Sequence, residues 1–395
     1  MERNRAVTRK VTGAALVGVG LLWICVLQLR GDLFCAHAQA LGASGQSGAQ
    51  GNAPHFQNAK VERRVLEGSL SDALRRWASG ASKAEWLGYG VAQVKGERTI
   101  CCSNYNGDFH GGCGTCLLEG KNSGINMRGP SAGDEAGTVN LEGSREMAVM
   151  FRAENGKIGK IRIFSVDCTA DGGGLSVLWL DGVKASESVD ALETFATEEK
   201  AENEHHDSVS KNALVALALH GDSSADHALE SLVAADQPEW LRKETAFWLG
   251  AAREAEGLRV LQKMAKGDSS TRVREQVTFA LSVSGEPGAV NEMIRMVHDD
   301  QSSQVRGQAL FWLAQKAGKK AESAIAGAIQ NDPDTEVKKK AVFALSQMPK
   351  DEGVPKLIEV AQTSRNPEVR KQAMFWLGQS EDPRALAFFE KVLSQ

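Results

Sequence analysis

WLRKETAFWLGA (240–251), RVREQVTFALSV (272–283), QVRGQALFWLAQ (304–315), EVKKKAVFALSQ (336–347) and EVRKQAMFWLGQ (368–379) are the stretches that decide the fold. Each begins 32 residues after the one before it, without gaps. Phe247, Phe279, Phe311, Phe343 and Phe375 form one column, and Leu249, Leu281, Leu313, Leu345 and Leu377 form a second. Leu241, Val273, Val305, Val337 and Val369 form a third. One period earlier, Val209, Val215 and Leu217 hold the same slots in a sixth, shorter copy.

Within a unit the apolar spacing is helical. Val305, Leu310 and Leu313, with Phe311 and Trp312 beside them, share one broad face. The intervening segments are amphipathic as well: Leu258, Leu261 and Met264; Val290, Met293 and Met296; Val354, Leu357 and Val360. Gly285–Gly288, Pro333 and Pro367 punctuate the pairs. A helix–turn–helix of this size cannot bury its own apolar stripe, so each unit must cover its neighbour. The expected fold of residues 207–395 is therefore an α-solenoid of about six helical hairpins with a concave wall.

Two charged columns run in the same register. Asp236, Asp268, Asp300 and Asp332 recur, with Ser364 breaking the series, and six residues after each comes Arg242, Arg274, Arg306, Lys338 or Arg370. The aspartate is placed to cap the second helix of its unit and the cation to reach the adjacent turn. As exposed pairs these would be worth about 0–1 kcal/mol each. With these columns the units resemble the HEAT-repeat family, in particular its PBS-lyase-like short repeats, over roughly half the chain. The resemblance implies an aspartate–arginine ladder that ties the repeats together, and it speaks to architecture rather than activity.

Trp248, Trp312 and Trp376 occupy one slot in alternation with Ala280 and Ala344, which fits large-and-small packing between units. Trp240, at the start of its helix, is a candidate contact for a protein or peptide partner, together with Lys243, Lys339 and Lys371.

The N-terminus has a basic cluster (Arg3, Arg5, Arg9, Lys10), an apolar run from Val11 to Leu29, and the small-residue sequence Ala36-His37-Ala38-Gln39-Ala40. This order describes a secretory signal over residues 1–40, cleaved after Ala38 or Ala40. The other reading is an uncleaved membrane anchor. Either places the body of the protein outside the cytoplasm: periplasmic, secreted or on the outer face of the cell envelope. Residues 41–57 are rich in Gly, Ala, Ser and Gln and are expected to form a flexible tether. A polar linker is expected at 197–206.

Residues 58–196 have a mixed pattern, expected to be a small α+β domain. Val61–Ala78 has a helical stripe of Val65, Leu66, Leu70, Leu74 and Trp77. Strands are expected at Trp86–Val94, Thr138–Leu141, Met147–Arg152, Lys160–Val166 and Leu175–Leu180, with a hairpin at Asn155-Gly156. A helix is expected at Ser186–Phe195. Past the signal segment there are five cysteines: Cys101, Cys102, Cys113, Cys116 and Cys168. In an oxidising compartment they are candidates for disulfides, with Cys168 the thiol left over. A zinc site at Cys101, Cys102, Cys113, Cys116 and His110 is a second reading, from the CxxC spacing. A redox dithiol at Cys113–Cys116 is a third, though the helix N-terminus that would activate it is missing from the sequence.

No nucleophile elbow, HExxH, P-loop or EF-hand loop occurs. From His205 onward there are 24 Lys and Arg against 26 Asp and Glu, so the basic excess needed for nucleic-acid binding is missing. No cofactor is implied beyond that zinc. The favoured reading is a non-enzymatic scaffold that binds a protein or peptide through the solenoid. The competing one is an envelope thiol–disulfide or metal-dependent enzyme using the Cys101–Cys116 cluster; the bilin-attachment proteins of the PBS-lyase variety lend that alternative its family context.

Overall fold

The computed structural model describes residues 53–94, 99–102, 115–119, 125–128, 145–198, 208–317 and 319–394. The expected signal segment, Thr138–Leu141, His110, Cys113 and most of the polar linker lie outside them, as do the side chains of Cys101 and Cys102.

The first region contains β1 (Phe56–Gln57), β2 (Lys60–Val65), α1 (Leu70–Gly80), β3 (Glu85–Ala92), β4 (Thr99–Cys102), β5 (Cys116–Leu117), β6 (Ile125–Arg128), β7 (Glu146–Glu154), β8 (Lys157–Ser165), β9 (Ala170–Asp171), β10 (Ser176–Asp181) and α2 (Ala185–Glu198). A mixed sheet has the strand order β2-β10-β3-β7-β8. Its first two pairings are parallel and its last two antiparallel. The β7–β8 hairpin turns at Asn155 and Gly156, both with positive φ (53° and 78°), as a two-residue turn matched to strand twist requires.

Two expectations change here. The stripe over 61–78 belongs to a strand and a helix rather than one helix. Gly68 takes φ 78° and Ser69 caps α1 by accepting from Asp72 N, so the chain is broken between them. The valine-bearing segment before the break pairs along β10, its Arg63 bonded to Asp181 at 2.5 and 3.1 Å. Phe56 and Gln57, assigned to the tether by composition, pair with β9, and Phe56 meets the Trp179 ring edge-on at 6.0 Å.

Strand alternation divides the core. Leu87, Tyr89, Val91, Met147, Val149, Phe151, Ile161 and Ile163 face the helices, while Trp86, Ala148, Met150, Phe164, Val177 and Trp179 face a second cluster with Cys116, Leu118, Cys168 and Ala170.

The second region is helical: α3 (Val209–Leu219), α4 (Ser224–Ser231), α5 (Glu239–Ala252), α6 (Glu254–Gly267), α7 (Thr271–Val283), α8 (Pro287–Asp299), α9 (Ser303–Ala317), α10 (Lys319–Asn331), α11 (Thr335–Ser346), α12 (Lys350–Thr363), α13 (Pro367–Gln379) and α14 (Pro383–Leu393). They form six successive pairs, the first with a short second helix. The odd-numbered helices from α5 to α13 lie much closer to their neighbours in file than the even-numbered ones do. Unequal spacing curves a solenoid toward its tighter side, which makes the odd-numbered face concave.

The helical array does not begin as a separate body. Every residue of α3 from Ala213 to Leu219 is buried, because α2 and β8 cover one side and α4 and α5 the other. One continuous core runs from Leu70 to Phe388.

Candidate functional site

The columns predicted from the 32-residue period separate into two layers. The valine column (0–1% exposed from Val273 to Val369) and the leucine column are core. The phenylalanines are not. Phe247, Phe279, Phe311 and Phe343 are half-buried and Phe375 is 53% exposed, which corrects their assignment to the buried stripe. The reason lies in the helical wheel. Phe311 is three residues from Gln308 and four from Gln315, on the polar side of α9, where it looks away from the Val305–Leu313 seam.

The exposed rings cover one another. Phe247 stacks on Phe279 at 5.8 Å and 14°, and Phe311 on Phe343 at 6.0 Å and 4°. Trp312 bridges Phe279 and Phe311 at 4.8 Å each, and Trp376 bridges Phe343 and Phe375 at 4.9 and 5.0 Å. The alternating tryptophans thus close the gaps between stacked phenylalanine pairs. An unbroken aromatic ridge results, following the concave face from α5 to α13. Lys243, Lys339 and Lys371 lie one helical turn before Phe247, Phe343 and Phe375 on the same face. Lys339 is held by Glu336 at 3.0 Å, and Lys371 is exposed. Trp240 is half-buried against the core at the start of α5. Of the sequence candidates, the three lysines therefore sit beside the ridge; the phenylalanines were missed because an in-register aromatic column looks like core. The glutamines and lysines three and four residues away were the available signal.

The charged columns form a ladder. Arg242 bonds Asp268 at 2.9 and 3.2 Å, Arg274 bonds Asp300 at 2.8 and 3.1 Å, and Arg306 bonds Asp332 at 2.7 and 3.0 Å. Each aspartate also accepts from a backbone N–H two residues on: Ser270, Ser302 and Asp334. The third guanidinium nitrogen of Arg274 and Arg306 donates to the Asp268 and Asp300 carbonyls. Two expectations are corrected. Asp268 and Asp300 end one helix rather than capping the next; Ser270 caps α7. The rungs are also buried, with the Arg274 and Asp300 side chains only 4% and 3% exposed. The bond from Asp300 raises the Arg274 pKa further.

The architecture is now in view, and the sequence family agrees with it. The family model described as HEAT repeats matches residues 228–314 and 321–395. The C-terminal half of the chain is a HEAT-repeat array. No curated protein matches the chain. Among solved structures, human deoxyhypusine hydroxylase in complex with glycerol is similar at 18% identity, over 52% of this chain and 90% of that one, with a TM-score of 0.23. The CpcE–CpcF complex of phycocyanin lyase from Nostoc is similar at 18% identity over 39% and 99%, with a TM-score of 0.31. The S. pombe condensin Cnd3–Cnd2 subcomplex is similar at 17% over 50% and 28%, with a TM-score of 0.32. At these values no activity or partner carries over to the HEAT array described here.

His220 and Cys168 are buried titratable groups outside the array's repeating part. His220, at the end of α3, is fully buried; its Nδ1 accepts from Asp222 N at 3.1 Å, and burial, with Arg253 nearby, lowers its pKa to about 4. Cys168 is a free thiol whose pKa burial pushes up to about 12, so it is not a ready nucleophile. Among the described residues no group of His, Cys, Asp and Glu is arranged to hold a metal ion, and Cys101, Cys102, Cys113 and His110 fall outside that search.

Proposed function

We propose that the protein is a scaffold that binds a protein partner along the aromatic ridge of its HEAT array. The observation that carries this reading is the continuous stack from Phe247 to Phe375, half-exposed and on the inner curve. Rigid rings supply large contact area at low entropic cost, and Lys243, Lys339 and Lys371 supply a charged border. A binding surface of this kind needs no reacting group.

Export belongs to the same proposal, supported by the order of basic, apolar and Ala-x-Ala segments in residues 1–40. So do disulfides in the cysteine cluster, supported by the four cysteines that fall within residues 101–116 of a chain read as exported. The partner would then be met outside the cytoplasm.

The test is co-purification from the native cell envelope with Phe311→Ser and Phe343→Ser together. A stoichiometric partner captured by the wild-type chain should be lost, while the far-ultraviolet spectrum stays that of wild type and the variant, though melting somewhat lower, remains folded at the temperature of the assay. Undiminished capture by the double variant would assign binding to another surface.

A further inference from the structure

The ladder stops before the array does, and a cleft opens where it stops. In each complete rung a cation holds the aspartate 26 residues later. The next cation is Lys338, and the residue 26 positions on is Ser364. Lys338 Nζ donates to the Gln330 carbonyl at 3.0 Å and has no carboxylate partner among the described residues. Beside it is a cavity of about 550 Å³ whose lining includes Ile329, Val360 and Ser364, with the cations Lys338, Lys356 and Arg365 set against the acids Glu322 and Glu359. Arg365 is exposed and likewise has no acid partner among the described residues. The third cation of the cleft, Lys356, is occupied by Glu322 and Glu359 at 3.2 Å each. The cleft separates α10 from α12, the neighbouring even-numbered helices in least contact.

We infer that this cleft is a carboxylate-binding site, in which an Asp or Glu side chain from an extended acidic segment of a partner protein completes the missing rung at Lys338. Three turns of the same array show what this slot takes: a carboxylate at the end of a pair's second helix, held by the cation near the start of its first. At the fourth turn the cation remains and the acid does not. Arg365 adds a second donor group from the loop, and Ile329 and Val360 offer apolar wall to the methylenes of a glutamate. The volume is that of a site holding a few residues of chain rather than a single ion. Two cations in a partly buried cleft favour a multiply acidic segment over a single acid, and their attraction weakens as salt screens it. The site opens between α10 and α12 with Lys338 supplied by α11; no ring of the aromatic ridge lines it, and it stands or falls independently of the ridge.

The experiment is fluorescence anisotropy of labelled hexaglutamate against labelled hexaglutamine on the full chain at low ionic strength. Hexaglutamate should bind measurably tighter. Ser364→Asp supplies the rung internally and should weaken hexaglutamate binding at least tenfold, with a melting midpoint equal to or above wild type. Ser364→Asn, similar in size but uncharged, should bind within twofold of wild type. Lys338→Gln should lose binding as Ser364→Asp does, which makes the result independent of how one variant folds. Phe343→Ser, in the ridge, should leave it unchanged. The proposal is overturned if hexaglutamate binds no better than hexaglutamine, or if Ser364→Asp binds as wild type does.

Discussion

Arg274 shows how much a single side chain does in this array. Its guanidinium uses two nitrogens on Asp300, at the far end of its own helical pair, and one on the carbonyl of Asp268, at the end of the preceding pair. Cutting it back leaves a buried carboxylate uncompensated, so Arg274→Ala should cost about 3–5 kcal/mol in chemical denaturation. Replacing both partners, as in Arg274→Met with Asp300→Leu, should recover most of that loss, because no orphan charge remains. A double variant as unstable as the single one would refute this account of the rung. His220 acts in the opposite sense, since it is buried in its neutral form. Its folded pKa is about 4 against an ordinary 6.5, so between those values the unfolded chain takes up the proton and the folded one does not. Its contribution is fully present above pH 6.5, falls as pH drops toward 4, and amounts to about 3 kcal/mol over that window. Urea titrations at pH 7 and pH 5 should show the decline in the wild type and a much flatter response in His220→Gln.

At the scale of the helix, the two apolar columns should respond differently to the same truncation. Leu313 is wholly buried and Leu313→Ala should cost about 2–5 kcal/mol. Phe311 is half-exposed and held mainly by Phe343 and Trp312, so Phe311→Ala should cost no more than about 1–2 kcal/mol. Equal losses in a denaturation series would return the phenylalanines to the core. This contrast also marks what the sequence could and could not disclose. The period, the helical pairs and the Arg–Asp register were legible because stacking demands identical slots. Which of two adjacent apolar columns faces inward was not, because Phe311 and Leu313 are only two residues apart, about 200° around a helix. The hairpin at Asn155-Gly156 was legible from turn chemistry. The strand Lys60–Val65 was not, since its stripe also satisfies a helical period and only its pairing with β10 decides between them.

Across the whole molecule, the sheet and the array are joined through backbone as well as core. Val94 N donates to the Leu219 carbonyl at 2.8 Å, and Gly221 N to the Ala92 carbonyl at 2.7 Å, so the end of β3 is bonded to the turn between α3 and α4. That turn needs glycine: a Cβ on Gly221 would lie 2.7 Å from the Gln93 carbonyl oxygen and 3.0 Å from that of Ala92. Arg253, from the junction of α5 and α6, closes the same joint by donating to the His220 carbonyl at 2.7 Å and pairing with Asp226. Gly221→Ala must therefore push the strand end away from the turn, at a cost of about 1–3 kcal/mol. Because α3 is buried on both sides, that cost should not stay local. Hydrogen exchange should speed up together in β3, α3 and α4, while protection in α9 and α11 holds. Faster exchange in the sheet alone, with α3 and α4 unchanged, would mean that the first helical pair belongs energetically to the array and only leans on the sheet. A linked response would instead make the sheet the cap of the solenoid, covering the apolar end of a stack that otherwise has no preceding unit to bury it.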